Sequence, residues 1–461
     1  MIKPKVGFVV YGVHKDGLKD LTGRLFMDDA LIQRSKDALM SQGVELVCHD
    51  TVVATKAEAH EALTKFRVDD TIDAVVLFSG TWVWAAHMVY AVQEYAKTGK
   101  GLLIWTHPGS QGWRPVGGFV MHGGLLELGI PHGFVYGASD DKEEVDKILA
   151  YLRGSSLKNK LNGSTMGTFG GRGMGQTCGV ADPVQWMKMF GVDIDSRDTT
   201  ALIERAKSFT EEQVASINPV FEKLFDKMPE KNAMTDRSIR MYLALKEIVA
   251  ERGYLMYAIQ SFPGLGDEYT ATCFAQSMML DSRVATATLC DHNTALTVYL
   301  MNELSDSPIY YGDLQHFDKK SREMKIIGDG AIPPSLAAPG TKATFAEHGM
   351  ETEGAAGGLS VNAIAKPGRA VLARIGRVNG EFVMVMAKCD VFVPDQDKLQ
   401  DRRYECGLPD WPHAFATMDC DMDKLLEHWN NEYGCLGYGG DELYDAIVEF
   451  CKQTGIKLIL P

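Results

Sequence analysis

"RVATATLCDHNTALTVYLMNELSDSPIYYGDL", Arg283 to Leu314, is the stretch on which the fold turns. It opens on a short β-branched run, "TALTVYLMNEL" then carries apolar side chains at helical spacing, and "PIYYGD" is short and β-rich again. Strand, helix and strand therefore follow one another. The helix has the apolar content of a buried segment, yet Asp291 and Asp313 bracket it at the carboxyl ends of the two expected strands. Two strands joined by a helix within one sheet pair in parallel through a right-handed crossover, which would set both carboxylates at one edge. Adjacent carboxylates repel unless a cation or a shared proton neutralises them, so the pair points to a divalent metal or to acid/base work. The competing reading makes Asp291 a helix cap and places Asp313 in a turn; on spacing alone it is the more frequent arrangement.

Upstream, "KVGFVVYG", "VELVC", "DAVVLFSG" and "GLLIWT" are β-rich runs alternating with helical stretches such as "DDALIQRSKDALMSQG" and "AAHMVYAVQEYAKTG". That alternation predicts a parallel sheet covered on both faces. "FVYGASDDKEEVDKILAYLRG" adds one more strand and helix, and the glycine-rich "LNGSTMGTFGGRGMGQTCG" marks a boundary near residue 160. A second α/β block runs from there to the opening stretch. "GRAVLARIGRVNGEFVMVMAKCDVFV", Gly368 to Val393, alternates apolar and polar residues around Asn-Gly, the signal of an antiparallel hairpin. The chain closes on a helix and a strand in "DELYDAIVEFCKQTGIKLILP". The predicted class is α/β: two doubly wound parallel-sheet, Rossmann-like domains over residues 1–160 and 161–302, then an antiparallel β-barrel-like domain over 303–461.

A chain of 461 residues has room for about three domains. Its formal charge of -14 argues against a broad phosphate-binding surface, which sets nucleic acid aside. No apolar run reaches a membrane span, and "MIKPKVGFVVYGVHKDG" turns polar after Tyr11, too soon for a secretory leader, so a cytoplasmic protein is expected. Nine cysteines are scattered without metal spacing, several of them (Cys178, Cys273, Cys290, Cys389, Cys451) beside apolar residues, and read as reduced core thiols.

"GGRGMGQTCG" fails the dinucleotide fingerprint, because the third glycine position counted from Gly173 is Cys178. It reads as an interdomain turn, or as a backbone that lets a substrate approach with Arg172 and Met174 aimed at it. Trp82, Trp84, His87 and "WTHPGSQGWRPVGG", which includes Arg114, gather aromatic, His and Arg side chains at the ends of two first-domain strands. Ligands bind beyond such ends, and stacked aromatics with polar neighbours suit a sugar, although burial at a contact explains any one of these residues as well.

At these residues the chain resembles the L-fucose isomerase and L-arabinose isomerase superfamily, especially its fucose isomerase-like branch. "CDHNTALTVYL" is similar to that branch's Cys-Glu-x-Asp…Ala-Leu-Thr segment, with Asp291 at the catalytic glutamate and two residues fewer before "ALT". "YYGDL" matches the strand ending in the second catalytic carboxylate, Asp313. "FGVDIDSRDTTALIERA" resembles the opening of the family's middle domain, and "GRGMG" its Ser-Met-Gly turn, whose methionine, here Met174, lines the substrate site. "WPHAFATMDCDMDKLLEHWNNEYGCLGYGG" extends the likeness towards the C-terminus.

The resemblance implies three domains, a homotrimer or homohexamer whose first domain completes a neighbour's site, and aldose–ketose isomerisation through an enediol. It also implies Mn²⁺, or Mg²⁺ or another divalent cation, chelated with the sugar between Asp291 and Asp313 as the acid/base pair. Two departures follow from the residues. Asp291 is one methylene shorter than glutamate, and the family's metal-binding histidine falls in "NEYGCLGYG", where Tyr433 stands with Glu432 before it. Tyr433 then becomes a proton donor or Glu432 the third metal ligand, His316 or His413 reaches in, or the site holds no metal. The arabinose-type second histidine is replaced by Gly328 and Asp329. The expected substrate contacts are Trp82, Arg172, Met174, His316 and Asp329, while Glu268 reads as a helix-start charge. A monosaccharide, plain, deoxy, sulfonated or acidic, is the expected substrate. A lyase or epimerase using the same proton abstraction, and a non-catalytic sugar-binding relative, are the alternatives.

Overall fold

The computed structural model describes residues 2–13, 28–79, 85–108, 114–348, 356–405 and 410–461, with the Arg114 side chain left out. The chain divides into two compact units: residues 2–160 with 445–455, and residues 161–444 with 456–461.

In the first unit β1 (Lys5–Val10), β2 (Glu45–Cys48), β3 (Ala74–Ser79), β4 (Gly101–Thr106) and β5 (Gly133–Tyr136) form one parallel sheet in the order β2-β1-β3-β4-β5. This is a doubly wound order, with its reversal between β1 and β3. Strand side chains alternate between faces, and because helices cover both, successive apolar residues serve two different cores. Val75 and Leu77 enter one core with Phe66, Met88 and Val92, while Ala74, Val76 and Phe78 enter the other with Trp105, Ile148 and Leu152. The helix Lys56–Val68 starts at a reciprocal cap in which Thr55 and Glu58 satisfy each other's backbone N–H groups.

The last helix of the chain, Asp441–Thr454, supplies residues 445–455 to this unit. Gly154, on the helix Lys142–Leu161, makes its approach possible: a Cβ there would lie 2.7 Å from the Phe450 nitrogen. Gln453 then donates to the Tyr151 carbonyl at 3.0 Å and accepts from the Ser155 hydroxyl at 2.9 Å.

The second unit begins with β6 (Thr165–Phe169), β7 (Asp193–Arg197), β8 (Met256–Ile259) and β9 (Ala285–Ala287), a parallel sheet ordered β7-β6-β8-β9. β10 (Tyr310–Asp318), β11 (Glu323–Ile327), β14 (Gly368–Val378), β15 (Glu381–Phe392), β16 (His413–Met418) and β17 (Tyr433–Tyr438) pair antiparallel, and because β14 also pairs with β15 the six strands close on themselves. β12 (Thr344–Glu347) and β13 (Leu359–Asn362) form a separate hairpin, and β18 (Lys457–Ile459) adds in parallel to β15. The Asn379–Gly380 turn joins β14 to β15 with both residues at positive φ, as a tight two-residue hairpin requires. One core joins parallel sheet and barrel, with Phe169 and Tyr257 in the same cluster as Leu372 and Met418.

The α/β class and the parallel sheets stand as expected, but the opening stretch needs a correction. β9 belongs to the parallel sheet and β10 to the closed antiparallel one, so the two are not parallel neighbours across a crossover. The helix between them, His292–Leu304, carries the chain from one sheet to the other and is buried on nearly every side, from His292 through Asn302. On it the Thr297 hydroxyl donates to the Asn293 carbonyl at 2.7 Å and accepts from the Ile375 amide at 3.0 Å. No helix among the described residues is long and apolar enough to cross a membrane.

The residue before Asp313 fixes how closely β10 and β11 approach. A Cβ at Gly312 would lie 2.5 Å from the Ile327 carbonyl oxygen, a backbone atom that cannot step aside. Gly312→Ala is expected to lower the denaturant midpoint by more than about 1 kcal/mol equivalent, read by urea unfolding, and to displace Asp313; an unchanged midpoint would contradict this packing.

Candidate active site

The carboxyl ends of β6 and β9 face the start of the barrel, and a strained elbow forms there. Leu289 and Cys290, both buried, hold φ values of 56° and 52°, conformations that cost non-glycine residues of order 1–3 kcal/mol each. Neighbours hold the elbow in place. The Cys290 amide donates to the Ile259 carbonyl at 3.0 Å, and the Thr288 amide to the Tyr311 hydroxyl at 3.1 Å. Gly173 donates to the Leu289 carbonyl at 3.3 Å, and a side chain there would meet the Leu289 Cα at 2.9 Å. The glycine-rich turn after β6 is thus a backbone that must come close, and Met174 on it stands 68% exposed with φ 46°.

The elbow delivers Asp291 to the start of the helix His292–Leu304, fully buried. Its Oδ1 accepts from the Thr294 amide at 2.9 Å; its Oδ2 accepts from Arg374 and from Asn431 Nδ2, both at 2.8 Å. Gly179 packs on the carboxylate so closely that a Cβ would reach Asp291 Cγ at 2.8 Å. Arg374, on β14, is equally buried. The guanidinium already supplies the positive charge at Asp291, so the residue's surroundings are those of a neutralised structural carboxylate rather than a metal bridge to Asp313.

Asp313 has the opposite surroundings. It sits on β10 between Tyr433 of β17 and Ile327 of β11, and its Oδ1 accepts no hydrogen bond. Burial, with Glu432 and Asp329 close enough to repel it, pushes its carboxyl up to about 8. Burial also raises Glu432, with Asp291 adding to the rise, while Gln176, which donates to it from the glycine-rich turn, and Arg374 oppose it. Tyr433 is buried; its hydroxyl shares a 3.0 Å hydrogen bond with Thr288 and its ring meets Tyr311 edge-on at 5.4 Å. Burial first, then Asp329 and Asp313, hold its phenol well above the usual range, so it is a neutral hydrogen-bonding group.

Asp329 joins this group to a second one. Its carboxylate, the Cys273 thiol and the His348 imidazole have ligand atoms all within 4.8 Å of one another, a set able to hold a divalent metal. Neither Cys273 nor His348 was expected: 75 positions separate them, and no local spacing marks the pair.

The other expected residues are more dispersed. Arg172 and Met174 are exposed on the turn that carries Gln176. His316, at positive φ where the β10–β11 register shifts, has Lys325, Glu405 and Arg402 for charged neighbours and is depressed mainly by burial; it is not part of the carboxylate group. His87 contacts the Ala54 carbonyl at 2.7 Å in the first unit, and Glu268 is exposed on a short helical turn. Trp82 and Trp84 lie outside the described residues. Arg374, Gln176 and Asn431 were missed, Arg374 because its alternating strand position looks like any other.

No protein-family model matches the chain. The chain is similar to sulfoquinovose isomerases. It is 26% identical over 328 residues to that of Clostridium sp. (strain MSTE9), covering 68% of this chain and 71% of that protein. It is 22% identical over 299 residues to that of Alkalicoccus urumqiensis, covering 64% and 65%, and 23% identical over 331 residues to that of Priestia aryabhattai, covering 68% and 72%.

Two measurements check this electrostatic layout. Arg374→Met leaves Asp291 buried and unpaired and is expected to cost about 3–5 kcal/mol in urea unfolding; adding Asp291→Asn should recover part of the loss. At Asp313 the folded chain keeps its proton up to about pH 8, the unfolded chain only to the ordinary carboxylate range. The associated stability is therefore full below that range, falls as pH rises from it, and is gone above about 8. In chelator, Asp313→Asn should unfold at higher temperature than wild type at alkaline pH, with the gap closing under acid; a gap independent of pH would show the carboxylate to be solvated.

Proposed function

We propose that this chain is a ketol isomerase of a sulfonated aldose, with Asp313 as its proton carrier. The observation that carries the reading is the buried Asp313 carboxylate, with an oxygen left without a hydrogen bond and two further carboxylates beside it. The sulfoquinovose isomerases similar to this chain support a small sulfonated sugar as its substrate.

Isomerisation needs one group to take a proton from C2 of the open-chain sugar and return it to C1, and a second to move a proton between O2 and O1. Asp313 is proposed for the first task and Glu432, oriented by Gln176, for the second. Tyr433 lends a neutral hydrogen-bonding wall, and Asp291 with Arg374 keeps the elbow in place beneath them. A bound divalent cation would polarise the sugar carbonyl and ease removal of the neighbouring proton. The residues at Asp291 do not fit such an ion, because Arg374 holds that carboxylate. Those around Asp329 do: its carboxylate, the Cys273 thiol and the His348 imidazole offer ligand atoms within 4.8 Å of one another, and Asp329 is the carboxylate proposed to hold the ion, leaving Asp313 to carry protons.

Arg172, exposed on the glycine-rich turn, is the proposed partner of the sulfonate. Exposed apolar residues of the first unit, Phe119, Leu126 and Tyr136, support self-association.

Incubation with sulfoquinovose in deuterated water is expected to yield the ketose with solvent deuterium in both sugars. Fragments in place of ketose would assign a lyase, a C2 epimer an epimerase, and no exchange at all would leave only binding. Asp313→Asn should lower kcat about 10²- to 10⁴-fold, and Arg172→Met should lower kcat/KM for the sulfonated aldose roughly 10- to 100-fold while sparing its unsulfonated parent.

A further inference from the structure

We propose that Cys273, Asp329 and His348 form a thiolate-containing site for one zinc-type transition-metal ion, in place of the all-oxygen manganese or magnesium site expected from the sequence. Its use in isomerisation rests on the function proposed above; its existence does not.

Three elements meet to build it. Cys273 is the first residue of the helix Cys273–Asp281. Asp329 follows β11 between Gly328 and Gly330, and His348 follows β12, its amide donating to the Gly358 carbonyl at 2.8 Å. Cys273 and His348 are 3% and 6% exposed and Asp329 is half-buried, so the donors are not scattered over a surface. The His348 ring lies parallel to Trp411, with centroids 5.5 Å apart, which fixes the plane in which its nitrogens point.

The spacing is that of ligands about a small ion. Zn–S and Zn–N bonds of about 2.3 and 2.0–2.1 Å at a tetrahedral angle separate sulfur from nitrogen by roughly 3.6 Å; Cys273 Sγ and His348 Nδ1 are 3.5 Å apart. The backbone is cut back to leave that volume. Gly330, at φ 62°, comes so close that a Cβ would lie 3.0 Å from His348 Nδ1 and 3.2 Å from the Cys273 Cβ. Three protein donors leave one tetrahedral position open, as catalytic zinc sites do and structural ones do not. A thiolate and an imidazole select zinc or cobalt, whereas carboxylates and water suit manganese and magnesium. Asp329 belongs to this triad and also to the electrostatic surroundings of Asp313 and Tyr433, so the ion would bring positive charge close to both.

Cobalt titration of the full-length, chelator-treated protein tests the site without any sugar. One cobalt per chain is expected, with a thiolate-to-cobalt charge-transfer band in the near ultraviolet. Cys273→Ser should abolish the band, and His348→Gln should weaken cobalt binding by more than about tenfold, the least that even outer-sphere changes bring. Cobalt bound without the band, a band that survives Cys273→Ser, or no cobalt bound would each overturn the proposal. Should Cys273→Ser fail to fold, X-ray absorption of the zinc-loaded wild type decides: a sulfur scatterer at about 2.3 Å supports the site, and a shell of nitrogen and oxygen alone refutes it. Isomerisation of sulfoquinovose is scored separately, so a protein that shows the band but makes no ketose would retain the metal site and lose the proposed function.

Discussion

The buried ion pair between Asp291 and Arg374 is the constraint that the second unit is assembled around. One carboxylate caps a helix through Thr294, accepts from a guanidinium on β14, accepts from Asn431 ahead of β17 and lies flat against Gly179. It thus ties together the last strand of the parallel sheet, two barrel strands and the glycine-rich turn. Charges buried to this degree are costly to desolvate and weak evidence for stability in themselves. Their geometry is nevertheless demanding, since Arg374 cannot shift without leaving a buried charge uncompensated.

Because one carboxylate is neutralised so completely, its neighbours stand out. Burial raises both Asp313 and Glu432, with Glu432 and Asp329 adding to the rise at Asp313 and Asp291 to that at Glu432. Within one small volume the protein therefore has one carboxylate held by a guanidinium and others whose carboxyls are raised by burial. The strained Leu289–Cys290 elbow lies between the two sets, and its cost is borne by the packing of Gly173 and by the hydrogen bonds to Ile259 and Tyr311.

Much of this was legible in the chain itself. Runs such as "DAVVLFS" and "GLLIWT" have the unbroken apolar character that only a sheet buried on both faces accommodates, and Asn379–Gly380 announces its hairpin because few other dipeptides tolerate two positive φ values. Asp313 at a strand and Asp291 at a helix start could be placed for the same local reasons. The pairing of β9 and β10 could not, since a strand–helix–strand pattern does not say whether both strands join one sheet, and here the helix passes between two. Arg374 was invisible because alternation marks a position as inward-facing without naming the charge it meets. Cys273 and His348 stayed hidden because their meeting depends on Gly330 and Trp411, which are distant in sequence from Cys273.

The residues 445–455 that complete the first unit come from the far end of the chain, and the close fit of Gly154 against Phe450 leaves no substitute for them. During synthesis the five-stranded sheet and its own helices emerge long before that partner exists. An unfinished chain on the ribosome therefore presents an uncovered face of the helix Lys142–Leu161 while nearly all of the second unit is still being made. Translation order thus leaves that face of the helix without its partner until residues 445–455 have been made.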